Sequence, residues 1–192
     1  MRKLIKLLLA CMLCSAAGLG SLQKLRAAEN DPLTIVIPAA LVTEEAVEYL
    51  NTDVVIRALE LSGLFIDEDG CLRVQMPSRT AVLAKEALKA KLDSVLCSIE
   101  EEAQGAIEIA GISMDYSKAA VLLHSDEFSA NDIYPDLKYF TELSVVYQAL
   151  NQIPVSQIRV EASIFDPKSG EKCSSLNLMQ ILTRPAPPGC SS

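Results

Sequence analysis

The sequence predicts an α+β fold in which antiparallel sheets carry helices on one face. Three observations predict it. Apolar residues repeat at three- and four-residue steps in three long stretches, near residues 43, 78 and 135, which is helical spacing. Each of these stretches is followed by two short β-rich runs around a turn, so the order is one strand and then helix-hairpin three times over. The last two αββ units, taken together, make a split, ferredoxin-like sandwich.

The elements follow in chain order. LTIVIPAALV (residues 33–42) has the β-branched run of a buried strand, interrupted by Pro38. Thr43 is a good N-cap, Glu44 and Glu45 suit the positive end of a helix dipole, and Gly63 is placed to close that helix. Val47, Leu50, Val54, Val55, Ala58 and Leu61 form its expected apolar face. LFIDEDGCLRVQM reads as a hairpin, with residues 64–66 and 71–76 as strands around a turn ending in Asp69-Gly70. A second helix runs from Ser78 to about Gly105, with Leu88, Leu92, Val95 and Ile99 on its core side.

Ile107, Ile109, Ile112 and Met114 then give strand character broken at Gly111, and residues 115–118 turn the chain into AVLLH. A third helix spans roughly residues 135–151, with Leu137, Phe140, Leu143, Val146 and Leu150 as its stripe and Pro154 as its stop. In the final hairpin Ile158, Val160, Ala162 and Ile164 alternate with polar residues, and DPKSG supplies the turn. The expected organisation is therefore a leader at 1–28, a βαββ unit at 33–77, an αββαββ domain at 78–184 and a disordered tail, RPAPPGCSS, of which 185–192 lie beyond the last element.

MRKLIKLLLACMLCSAAGLG has the basic start and short apolar run of a secretory signal peptide. Cys11 and Cys14 lie inside it, which disfavours a redox Cys-x-x-Cys and reads them first as small apolar residues of the leader; Leu8-Leu9-Ala10-Cys11 loosely resembles a lipoprotein lipobox, so a lipidated Cys11 is the lesser alternative. The expected location is the periplasm or outside the cell, with membrane attachment only through an uncleaved leader or a lipidated Cys11. Five of the 17 basic residues lie in the leader and all 25 acidic ones lie beyond it, so its removal shifts the formal charge from -8 to -13. So acidic a chain argues against nucleic acid as a partner. Four cysteines remain, Cys71, Cys97, Cys173 and Cys190, as candidate disulfide cysteines in three open connectivities or as buried thiols.

Chemistry is sparse. His124 is the one histidine, and only Ser125 and Asp126 beside it offer a hydrolase reading. No nucleophile elbow, zinc-protease, phosphate-loop or dinucleotide motif is present. The turn Asp67-Glu68-Asp69-Gly70 has part of a calcium loop, but Met76 stands where the twelfth-position Glu belongs, so turn chemistry is the better account. Glu100-Glu101-Glu102 reads as a solvated run. The chain is expected to be no enzyme and to need no cofactor.

Residues 88–184, with LDSVLCSIEEEAQGAIEIAGISMD, AVLLHSDEF and DLKYFTELSVVYQALNQIPVSQIRVEASIFDPKSGEKCSSLNLMQILTR, resemble the periplasmic ferredoxin-like domains of the PilO and GspM families of pilus and type II secretion platform proteins. A full transmembrane anchor and coiled-coil stalk are missing from the match. IRALELSGLF and VEASIFDPKSGEK are similar to parts of the amino-terminal domain of the TolB family. Both resemblances imply a non-catalytic cell-envelope protein working by protein contacts; with the repeated αββ order, the acidic composition and the absence of catalytic motifs, the expectation is an exported bacterial envelope scaffold or adaptor acting through envelope proteins or a second copy of itself. The competing expectation is a periplasmic module for a small ligand or metal, using the acidic turn.

Overall fold

The computed structural model describes residues 31–125 and 133–183. The leader with Cys11 and Cys14, the tail with Cys190, and Asp126 lie outside these residues. The α+β class holds, with two sheets and five α-helices among the described residues. The chain forms two compact units: residues 31–91 with 149–156, and residues 92–148 with 157–183. The division falls inside a helix.

In the first unit, β1 (Pro32–Ile37), β2 (Gly63–Ile66) and β3 (Leu72–Pro77) form an antiparallel sheet in the order β1-β3-β2. Leu72, Val74 and Met76 alternate with half-buried Arg73 and Gln75, so one face of the central strand is core. The expected single helix after β1 is two, α1 (Glu44–Leu50) and α2 (Asp53–Ala58). Thr43 caps the first as anticipated, its hydroxyl accepting from Ala46 N–H at 3.2 Å. The break has a local cause. Thr52 turns its hydroxyl back onto the Tyr49 carbonyl at 2.8 Å and takes an extended backbone, an option that side chains of this type offer in place of helix.

That break rephases the apolar stripe. Val55 and Leu59 are buried against Tyr49, Leu50 and Leu61, whereas Val54, expected on the buried face, is 70% exposed. Gly63 does not close the helix, because it already begins β2. Glu60 takes the left-handed position instead (φ 51°), with Leu61 N–H donating to Ile56 and Glu60 N–H to Arg57, the paired bonds of a Schellman end. A Cβ at Gly63 would sit 2.6 Å from Gln75 Oε1 across the ladder, so a larger residue there requires the flexible end of Gln75 to move.

Helix α3 (Ser78–Glu102) continues from β3 and buries Ala81, Ala84 and Leu88 in the first unit and Leu92, Val95 and Ile99 in the second, the expected stripe. In the second unit β4 (Ile107–Ile112), β5 (Lys118–Leu123), β6 (Glu161–Phe165) and β7 (Lys172–Asn177) lie in sequential order. The αββ order repeats as expected, with α4 (Tyr134–Leu150) opening the second copy. The sheet itself is not split and not wholly antiparallel. The β5-α4-β6 crossover lays β6 directly beside β5 in a parallel pair, with Lys118 facing Glu161. Helix α5 (Met179–Thr183) follows β7.

Helix α4 is buried on every face from Phe140 to Leu150, beyond the five-residue stripe that its sequence suggests. Its polar residues are satisfied internally where hydrogen bonds are seen: Thr141 and Ser144 hydroxyls donate to the carbonyls one turn back. Gln148 does more. Its amide donates to Arg159 O at 2.8 Å and accepts from Arg159 N–H at 3.3 Å, so one side chain replaces a missing strand neighbour. Burial pushes the Glu142 carboxyl up, and Lys138 one turn earlier opposes this in part.

Each of the three hairpin turns is organised by an aspartate. Asp67 accepts from the Asp69 and Cys71 N–H groups, Asp115 from Ser113, Ser117 and the Ser117 N–H, and Asp166 from the Lys168 and Ser169 N–H groups. Tyr116, at φ 57°, leaves its turn to bond Asp93 and to meet the Tyr147 ring edge-on at 5.1 Å. Burial, followed by the Asp93 carboxylate, pushes its hydroxyl well above the usual tyrosine range.

Candidate functional site

β1 is one edge of the first sheet, in the order β1-β3-β2. Ser78 N–H donates to Asp31 O, and residues 31 and 78 share the register that pairs Leu33 with Met76 and Ile35 with Val74. In an antiparallel ladder bonded and unbonded pairs alternate, so Leu33, Ile35 and Ile37 turn their N–H and C=O groups to β3. Thr34 and Val36 turn theirs outward, away from the sheet. β1 is an edge strand, so among the described residues no further strand meets them.

Thr34 and Val36 also line a cleft of about 690 Å³ within the same unit. Ala39, Asp67, Asp69, Cys71 and Arg73 line one part of it, and residues 152–156 form the other wall. That wall is fixed from two directions. Gln152, at φ 59°, turns the chain out of α4, and Lys85 on α3 donates to Asn151 Oδ1 at 3.0 Å. The side chains of Thr34, Val36 and Arg73 share the sheet face opposite Leu72, Val74 and Met76, because strand side chains alternate and Val36 pairs with Arg73. An open strand edge and a cleft on its own face therefore coincide.

Three charges belong to this cleft. Arg73 Nε donates to Asp67 Oδ2 at 2.9 Å, and the other Asp67 oxygen accepts from the turn. Burial raises the Asp67 carboxyl, but the Cys71 N–H and Arg73 outweigh it and hold it below the usual carboxylate range. Asp67 is thus occupied by turn and salt bridge, as its sequence setting suggests. Asp69, exposed, uses its N–H in the turn and turns no carboxylate oxygen to Arg73. Among the described residues no three His, Cys, Asp or Glu side chains are grouped to hold a metal ion.

The other residues singled out in the sequence lie apart from the cleft, Cys71 excepted. Cys71 is buried at its floor, while Cys97 on α3 and Cys173 on β7 are exposed, and all three are free thiols. Cys190 lies outside the described residues. His124 faces Glu108 across the β4–β5 hairpin at 3.3 Å on the surface. Glu102 meets Asp136, whose carboxylate pushes the Glu102 carboxyl up.

Glu100 is not the solvated residue that its run of three suggests. His124 N–H donates to Ala106 O, so by the same alternation Ile107 and Ile109 of β4 face outward. Glu100 reaches over from α3 and accepts the Ile109 N–H at 2.6 Å, and a bulge follows between Ile109 and Gly111. At the opposite edge of this sheet β7 is exposed along its whole length, but its register shifts at Cys173, leaving a shorter regular run.

The cleft was missed by sequence reading because Thr34 and Val36 are ordinary strand residues; their outward hydrogen-bonding groups follow from register. Among the described residues no helix is long and apolar enough to cross a membrane. In comparison with family models, curated proteins and solved structures, the chain matches none.

Proposed function

We propose that this chain is an exported bacterial cell-envelope scaffold or adaptor that works by protein contacts in a secretion- or pilus-type assembly, and that its contact site is the β1 edge. The observation that supports this reading is the coincidence of outward Thr34 and Val36 backbone groups with a cleft on the same strand face. An extended segment of a partner would add as a fourth strand, its backbone bonding Thr34 and Val36 and its alternate side chains entering the cleft. The leader-like start is consistent with work outside the cytoplasm.

The test is a photo-crosslinking residue placed at Thr34 and, separately, at Ile109, in living cells. Adducts with an envelope protein at Thr34, absent at Ile109 and lost when Val36→Pro removes the outward N–H, are the expected result. Absence of adducts at Thr34, or equal adducts at both sites, would count against it. Proline is tolerated on a sheet edge where its missing N–H faces away from the ladder.

A second reading, a small-ligand module, draws on the size of the cleft, which lies within the roughly 300–1,000 Å³ of small-molecule sites. A thermal-shift panel of common metabolites tests it, and no shift with any of them would retire it.

A further inference from the structure

We infer that the segment added at β1 is basic, carrying a lysine or arginine side chain into the cleft beside Asp69. This rests on the edge-capture reading above and names the chemistry of the partner. Arg73 is the one cationic side chain among the residues that line the cleft, and Asp67 already neutralises it. Asp69 is the lining charge left without a counterion, and Glu68, exposed beside it, adds to the same sign. Of the remaining lining, Val36, Ala39, Cys71, Ile153, Pro154 and Val155 are apolar, and Thr34, Gln152 and Ser156 are polar without charge. A strand side chain on this face thus meets uncharged wall, the Arg73–Asp67 pair that is already matched, or Asp69. An acidic segment would meet Asp69 unpaired and a chain with 25 carboxylates against 17 basic groups, whereas a basic one gains at both ranges.

The experiment uses the full chain and three fluorescent octapeptides in which valine alternates with lysine, glutamine or glutamate. Anisotropy should show the lysine peptide binding about three- to fivefold more tightly than the glutamine peptide, the scale of one exposed ion pair, and the glutamate peptide weakest. Asp69→Asn should erase most of the lysine preference. Glu68→Gln makes the same charge change one residue away from the cleft lining and should keep it, which separates a local contact from general attraction to an acidic protein. Equal binding of lysine and glutamine peptides, or equal effects of the two substitutions, would overturn the basic-segment inference and leave edge capture standing. Undiminished binding of all three peptides to Val36→Pro, or no binding of any peptide to the unaltered chain, would overturn edge capture itself.

Discussion

β1 and β4 are both six-residue edge strands of antiparallel pairs, and they treat their outward backbone oppositely. On β4 the Ile109 N–H is covered by Glu100 and the ladder is kinked by a bulge. On β1 the register is continuous from Pro32 to Ile37, and Thr34 and Val36 face a cleft. A bare edge invites pairing with foreign chains, so one that is neither bulged nor capped stands out beside one that is both. The second unit repeats the sealing device inside: Gln148 covers the backbone of Arg159 just before β6. Outward hydrogen-bonding groups are thus closed by side chains at Ile109 and Arg159 and left available at Thr34 and Val36.

The largest expected effect comes from opening the internal seal. Gln148→Ala would strand both backbone groups of Arg159 beside a helix that is buried all round, at about 1–3 kcal/mol for each unsatisfied group before water relaxes the site. Urea unfolding should therefore show a loss of about 2–3 kcal/mol. No loss would mean that water replaces the amide fully.

Uncovering β4 should cost less. Glu100→Ala removes one charge-assisted bond at a half-exposed position, worth about 1 kcal/mol, and opens the outward edge of β4 at Ile109. Concentration-dependent association by light scattering should increase with it. If Glu100→Ala stays as monodisperse as the unaltered chain, the bulge alone seals that edge.

The smallest effect is in pH dependence, and it separates the turns from the helices. Asp67, Asp115 and Asp166 are held below their ordinary 3.8 although burial pulls all three the other way, because N–H and hydroxyl donors favour their charged forms. Their contribution is present above about pH 4 and is lost as pH falls through their lowered values. Glu102, beside Asp136, and buried Glu142 are raised above 4.5, so their protonated forms favour the folded state and their contribution fades as pH rises through the raised values. Stability should then pass through a maximum on the acid side of neutrality. Asp115→Asn should flatten the acid limb, and Glu142→Gln the neutral one; an unaltered profile in either would remove that residue from the account.

The hairpins were legible because their turns need particular residues: Gly70 at φ 76° and Gly170 at φ 70° sit where the sequence calls for them. The long helix α3 was legible because Leu88, Leu92, Val95 and Ile99 keep one phase throughout. The break at Thr52 was hidden, since apolar spacing runs on across it and one hydroxyl bond decides against the helix. Adjacency of β5 and β6 depends on where a crossover lands, which residue types do not encode, so the split arrangement was the natural but incorrect expectation. The β1 edge and the Glu100 seal were hidden for a related reason. Which N–H groups face outward is set by pairing parity, a property of two strands together.

Hydrogen exchange of the individual amides tests the central contrast most directly. The account predicts that in the protein alone Thr34 and Val36 exchange much faster than Ile35 and Ile109, and that the lysine–valine octapeptide slows Thr34 and Val36 while leaving Ile109 unchanged. Protection of Thr34 and Val36 equal to that of Ile109 before any peptide is added would contradict it, because β1 would then already be closed.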